Sequence, residues 1–238
     1  MKLLVPNYYG DFHCIAGQCR HTCCAGWEVD IDAESLDRYR TMPTLFSHVE
    51  ETDPPHFRLS DGERCPFLGK DGLCELIRQY GEDILCQTCR DHPRFRNFWS
   101  DRVEIGLGLV CEEAGRLIFS QTQPLELVVL SDDGQNEPLP EDESWLMDYR
   151  RQLLSRIDET GPRARLLEYL IYRHLSDALY DGRLEQRLAF IRRSFCRITT
   201  AWEQTDGSIQ SLAECARCWS YDVEYDDEEL EKQLCEED

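Results

Sequence analysis

The chain has 238 residues, 41% of them hydrophobic, which suffices for one large domain or two small ones without disulfide staples. Its formal charge is −21, and displacing counterions from phosphates needs basic surface, so nucleic acid is excluded as a general partner. Met1 to Gly10 lacks the apolar run of a signal peptide, and the most apolar stretch elsewhere, Leu125 to Leu130, is too short to span a bilayer. The expectation is therefore a cytoplasmic protein with reduced thiols and no membrane partner.

In chain order, Trp27-Glu28-Val29-Asp30-Ile31 alternates apolar and polar residues and predicts a short strand. Asp32 follows as the N-cap of a helix over Ala33 to Arg40. Ser60-Asp61-Gly62 predicts a hairpin turn, and Lys70-Asp71-Gly72 a second turn. A helix is expected from Glu75 to Tyr80, ended by Gly81. Val103 to Val110 reads as a strand or buried extended run. Cys111 then opens a short helix with Glu112 and Glu113 at its positive end. Arg90, Arg94, Arg96 and Arg102 are either solvated arginines or the basis of an anion site.

Ser131 to Glu143, SDDGQNEPLPEDE, is acidic and Pro-bearing and reads as a linker. Beyond it, Trp145 to Ile157, Ala164 to Tyr180 and Leu184 to Trp202 carry apolar residues at helical spacing, with Asp181-Gly182 between the last two. The face Leu166, Leu167, Leu170, Ile171, Leu175, Leu179 reads as core packing. Asp222 to Asp238 reads as a frayed acidic helix or tail. The domain expectation is a cysteine-rich metal-binding domain over 1–130, a linker over 131–143 and a helical region with acidic tail over 144–238. The fold class expected is mainly α with a small irregular β element. The cysteine-rich N-terminal half is pinned by a metal or cluster, and the C-terminal half is helical.

The chemistry lies in the cysteines, thirteen in all. Cys14, Cys19, Cys23, Cys24, Cys65, Cys74, Cys86, Cys89 and Cys111 fall into groups in the first half. Thiolates hold zinc and iron–sulfur clusters, and so many thiols in a reducing compartment point to ligation. Cys86-Gln87-Thr88-Cys89 is a CxxC pair, a spacing at which two thiolates chelate one metal while backbone amides bond to sulfur. Adjacent Cys23 and Cys24 diverge, so either one of them supports from behind or two centres are shared. Cys65-Pro66-Phe67-Leu68 is a knuckle-like turn. Cys19, Cys23, Cys86 and Cys89 are the first-choice ligands, with Cys14, Cys24, Cys65, Cys74 and Cys111 in reserve. The irregular spacing suits a [4Fe–4S] cluster somewhat better than zinc. His13, His21 and His92 flank cysteine groups as hydrogen-bonding neighbours. Cys215-Ala216-Arg217-Cys218 is a second CxxC that reads first as buried thiols on a helix.

Phe12-His13-Cys14-Ile15, Cys19, Thr22-Cys23-Cys24, Gly26-Trp27 and Ile31-Asp32 resemble the start of the flagellin lysine-N-methylases. So do Cys65-Pro66-Phe67-Leu68, Asp71-Gly72-Leu73-Cys74, Gly81-Glu82, Leu85-Cys86, Cys89, Pro93-Arg94-Phe95, Leu107, Cys111, Glu113-Ala114 and Arg116-Leu117. The order and spacing match over roughly residues 5 to 120, and the first part is also similar to a broader zinc- or iron-chelating cysteine-cluster family. Tyr172-Arg173-His174 and Tyr180-Asp181-Gly182 extend the resemblance more weakly. The resemblance implies methyl transfer from S-adenosylmethionine to lysine side chains of flagellin, with a [4Fe–4S] cluster involved. It also implies a shortened member, with His92 where the pattern has Tyr. No Gly-rich loop of a Rossmann-type methyltransferase is present, and Gly26 stands where a radical S-adenosylmethionine motif would place its third cysteine. Glu28, Asp30, Asp32, Tyr8 and Tyr9 are candidates to line a lysine slot. The rival reading is a non-catalytic zinc- or iron-binding interaction module.

Overall fold

A computed structural model of the chain describes residues 1–135 and 137–236. In chain order its elements are β1 (Lys2–Pro6), α1 (Ala33–Arg40), α2 (Pro43–Phe46), β2 (Val49–Glu50), β3 (His56–Phe57), α3 (Glu75–Tyr80) and α4 (Gln87–Asp91). There follow β4 (Arg94–Phe98), β5 (Arg102–Leu107), α5 (Glu112–Phe119), β6 (Leu127–Asp132), α6 (Glu141–Ser155), α7 (Gly161–His174), α8 (Ala178–Asp181) and α9 (Leu184–Glu203). Last come α10 (Ile209–Trp219), a π-helical turn over Ser220–Glu224 and α11 (Asp227–Cys235). Helices dominate, with one small mixed sheet. No helix among the described residues is long and apolar enough to cross a membrane.

The chain divides into two compact units, Met1–His13 with Pro93–Asp238, and Cys14–His92. The division does not fall at the acidic segment. Residues 131–132 complete β6, and Glu141 to Glu143 form the first turn of α6, where acidic side chains suit the helix dipole.

The larger unit is built on a sheet of order β4-β5-β1-β6. β1 runs parallel to β5 and antiparallel to β6, and β4 with β5 forms a hairpin. Helices α5, α7, α9 and α10 pack in succession, burying Leu117, Leu166, Leu170, Phe190, Ile198, Leu212 and Trp219 in one core. Gly115 lets α5 approach α10, since a Cβ there would meet Ala213 Cβ at 3.3 Å. The apolar stretch expected as one helix from Ala164 to Tyr180 breaks after His174, and Gly182 at φ 68° ends α8. The acidic C-terminus is docked rather than frayed as far as Glu236. Val223 and Leu234 are buried, and α11 packs on α9. Glu237 and Asp238 lie outside the described residues.

The smaller unit holds short elements around Val29, Ile31, Tyr39, Leu45, Val49, Phe57, Leu76 and Ile84, with Cys65 and Cys86 in the same core. The expected strand over Trp27 to Ile31 is not regular. Ala25 and Asp30 make single bridges, to Arg64 and His56, while Val29 and Ile31 turn inward. Asp32 does cap α1, its Oδ1 accepting from Ser35 N–H at 2.9 Å, and Gly81 ends α3 at φ 83°.

Candidate metal centre

Local backbone bonding in Cys14–His92 explains how separated cysteines meet. Cys65 N–H donates to Cys24 C=O at 2.8 Å, and Gly26 N–H to Glu63 C=O at 2.9 Å, so the Cys23-Cys24 loop lies along the segment entering Cys65. The Cys65 turn closes by Leu68 N–H to Cys65 C=O at 3.0 Å. Leu68 then bridges Cys74, and Glu75 N–H returns to Phe67 C=O at 2.8 Å, which brings Cys74 back beside the turn. Gly69 leaves room for this return, since a Cβ would stand 3.1 Å from Leu73 C=O and would press the Glu75 and Asp71 carboxylates aside.

The CxxC pair is held from behind. Cys86 is the N-cap residue of α4 and is fully buried. Asp32 Oδ2 accepts Gln87 N–H at 2.7 Å while its Oδ1 caps α1, so one carboxylate ties two helix N-termini together. Burial opposes the charge of Asp32, but these backbone donors hold its carboxyl below the usual value. Thr88 Oγ1 adds a bond to Asp30 C=O at 2.8 Å. The pattern signalled Asp32 as a cap, whereas its second role depends on α4 and has no local signal.

The thiols act on one another. Cys86 is pulled down to about 7 by the bond from the Cys89 thiol, against burial and with help from Cys89 N–H. Cys89, which supplies that proton, is pushed far up. Cys23 is likewise pushed up and Cys24 down by the hydrogen bond between them. Burial raises Cys65 to about 11, opposed by a bond from Phe67 N–H and reinforced by Cys74, Cys86 and Cys23. Charge on Cys65 and Cys74 also bears on Cys24, and charge on Cys24 and Cys65 bears on Cys89. Cys23, Cys24, Cys65, Cys74, Cys86 and Cys89 thus form one electrostatic set from three chain segments, with amide-to-sulfur bonds at Cys65 and Cys86.

That donor chemistry fits a soft, thiolate-bound metal or cluster. A bound cation would displace the shared protons and relieve the mutual repulsion of the thiolates. Among the described residues, no three His, Cys, Asp or Glu side chains already stand together as a metal-holding group. The fit therefore rests on donor type and pairing.

The other candidates are placed differently. Cys14 is exposed, its Sγ accepting Ala16 N–H at 3.4 Å, and Cys19 closes the short turn Ala16–Gln18. Cys111 belongs to the larger unit, as N-cap residue of α5. His92 sits beside Trp27, ring centroids 6.2 Å apart, and His13 Nδ1 lies 3.1 Å from Asp11 C=O. Tyr8 is buried in the core of the larger unit, and Tyr9 OH accepts from Arg94 Nε at 2.7 Å. Glu28, Asp30 and Asp32 belong to the smaller unit. Arg90 falls in the smaller unit and Arg94, Arg96 and Arg102 in the larger, where Arg102 pairs with Asp101 at 2.7 Å. Cys215 and Cys218 line a cavity of about 280 Å³ with Ile198, Trp219, Glu214 and Asp222. Burial raises both thiols, reinforced by the Glu214 charge and, at Cys218, opposed by the Arg217 guanidinium.

Three curated Salmonella proteins match 51% of the chain. The lysine-N-methylases of Salmonella typhimurium and Salmonella choleraesuis are 27% and 25% identical over 138 residues. The chain is similar to the lysine-N-methylases. The match covers 33% of each of those methylases, so the methylase-like stretch spans about a third of their length. The flagellar biosynthetic protein FliU of Salmonella muenchen is 26% identical over 138 residues, 79% of its own length. No protein-family model and no solved structure matches the chain.

Proposed function

We propose that this chain is a cytoplasmic, lysine-N-methylase-like protein whose smaller unit holds a [4Fe–4S] cluster, and that it takes part in S-adenosylmethionine-dependent methylation of flagellin lysines. What supports the reading is the electrostatic influence of the Cys23-Cys24, Cys65/Cys74 and Cys86/Cys89 thiols on one another, in a chain similar to proteins named for lysine methylation. The flagellar name of the third relative supports flagellin as substrate. Cys86, Cys89, Cys65 and Cys24 are the ligands favoured, with Cys23 and Cys74 next to them. A bound cluster would supply either a staple between the loops or an iron site open to the amino and carboxylate groups of the cofactor. The protein's task is to desolvate the lysine amine, let it lose its proton, and hold it in line with the methyl group.

A second reading has one observation in its favour: the matched stretch covers only a third of each methylase. In it the cysteine unit is a zinc- or iron-stapled interaction module without catalysis. Anaerobic purification with iron, sulfide and zinc analysis, followed by titration with S-adenosylmethionine and a flagellin methylation assay, separates the two. Iron and sulfide with a visible band that shifts on adding the cofactor, and methyl transfer, are expected. Zinc alone, with no cofactor binding, would leave the module.

A further inference from the structure

β6 is an edge strand of the sheet, hydrogen-bonded among the described residues to β1 alone. Its centre is apolar and open, with Val128, Val129 and Leu130 exposed by 44%, 57% and 56%. Successive residues of a strand point to opposite faces, so both faces are bare at this edge. Natural edges are blunted by lysine, proline, bulges or a covering loop; here the β1 ladder skips Leu130 between Val129 and Ser131, and the regular stretch Leu127 to Val129 before that irregularity is a bare apolar template for another strand.

The unpaired backbone can be located. Glu126 C=O accepts Asn7 N–H at 2.8 Å, and Pro6, which has no N–H, sits opposite Leu127. In an antiparallel ladder, alternate residues turn both polar backbone groups to the same side. Leu127 and Val129 therefore present N–H and C=O to the open edge, while Val128 faces its partner Val5.

Charge selects the occupant. Glu126 and Asp132 flank the apolar centre and are exposed; Asp132 Oδ1 accepts Gly134 N–H at 2.9 Å, with Lys2 across the ladder, and Asp133 pairs with the Met1 amino group. A second copy on this edge would bring its own Glu126, Asp132 and Asp133 toward these acidic flanks in any register that the irregularity after Val129 allows, on a chain of charge −21. Like charges directly opposite destabilise a ladder. We propose that the open edge of β6 is a docking strand for an extended peptide segment with an apolar centre and Lys or Arg at its flanks, taken up by strand addition. The inference does not depend on methyl transfer or on a metal.

The test uses the full chain and fluorescent synthetic strands with an alternating Val/Thr centre and either Lys or Glu flanks, read by anisotropy at low and high salt. The Lys-flanked strand should bind, with affinity falling about tenfold or more for the Glu-flanked strand and falling with added salt. Val129→Pro removes an outward N–H that β1 does not use, and should weaken binding about tenfold with an unchanged circular dichroism spectrum. Should that variant fold poorly, Val129→Lys serves, since it should repel the Lys-flanked strand and not the Glu-flanked one. Equal binding of both strands, binding indifferent to either substitution, or no binding at millimolar peptide would overturn the proposal. So would a dimer in sedimentation that Val129→Lys dissolves, which would make a second copy the occupant.

Discussion

Glu104 on β5 and Arg150 on α6 form a two-pronged ion pair, Nη1 to Oε2 at 2.8 Å and Nη2 to Oε1 at 2.7 Å. Their side chains are 0% and 8% exposed, and Arg150 Cζ lies 5.1 Å from the Trp99 ring centroid and 5.6 Å from that of Tyr172. Removing one partner strands the other charge away from water, a loss of about 3–5 kcal/mol, whereas replacing both with apolar groups of similar size is often neutral. Glu104→Leu leaves the guanidinium only the two rings, whose cation–π attraction offsets about 1–2 kcal/mol. Arg150→Met leaves a fully buried carboxylate with no ring face to turn to, and should cost the more. Glu104→Leu should therefore lose about 1–4 kcal/mol, Arg150→Met about 3–5 kcal/mol, and the double variant about 1 kcal/mol or less. Urea unfolding followed by tryptophan fluorescence reads the right unit, because Trp99, Trp145, Trp202 and Trp219 lie there and only Trp27 lies in the other. Single losses under about 1 kcal/mol that simply add in the double variant would refute the reasoning, since that is how a solvated surface pair behaves.

Three further outcomes follow from the same kind of geometry. Asp32→Ala should destabilise the smaller unit by about 1–2 kcal/mol in urea unfolding followed by Trp27, with Asp32→Asn restoring most of the stability as a good cap. Gly106→Ala should cost about 1–3 kcal/mol by thermal melting, since a Cβ would stand within 2.8 Å of Phe95 Cε2 and push that ring off Tyr169, Tyr172 and Arg173. His174 and Glu224, 1% and 2% exposed and 2.8 Å apart, should make the larger unit acid-labile. Burial holds His174 below its usual 6.5; burial pushes Glu224 up, but the hydrogen bond and charge of His174, the Arg173 charge and the Ser220 hydroxyl together hold it below its usual 4.5. The unfolded chain therefore takes up these protons first, so stability is full above pH 6.5 and falls as pH drops through that value and then through 4.5. His174→Gln should flatten the upper part of that urea-derived profile, and a profile unchanged by it would refute the assignment.

Local signals carried the elements that end on a special residue. Asp32 before α1, Gly81 after α3, Cys111 before α5 and Gly182 after α8 each act within a turn of the chain, so their effect is visible in sequence. Non-local pairing left less trace. β1 and β6 pair Lys2 with Asp132, and the acidic composition around Asp132 signalled a linker while the strand ran on beneath it. The same charge hid the docking of α11, which reads as a frayed acidic helix or tail although Leu230 and Leu234, four residues apart, are a legible sign of a packed face. At the candidate site the CxxC pair was legible from spacing. The grouping of Cys24 with Cys65 depends on a loop-to-loop hydrogen bond, which no periodicity encodes.

The build of the smaller unit bears on what a metal would do there. Its helices α1, α2, α3 and α4 have 8, 4, 6 and 5 residues, and its strands β2 and β3 have 2 each. Helices so short are unstable alone, because nucleation costs more than a turn or two of hydrogen bonds returns. Tertiary linkage must hold them, and the cysteines are free thiols. Cys65 and Cys86 sit inside the apolar core rather than at a rim, so a metal on these thiols would join two chain segments at the centre of the unit. Its binding free energy would then be folding free energy. Chelation should therefore unfold the smaller unit, read by Trp27 emission and by loss of protection at α4 amides in hydrogen exchange, while α7 and α9 keep theirs. If chelation left α4 protected, a staple would be excluded, and a metal in this unit would have to be a removable cofactor on a scaffold that stands without it.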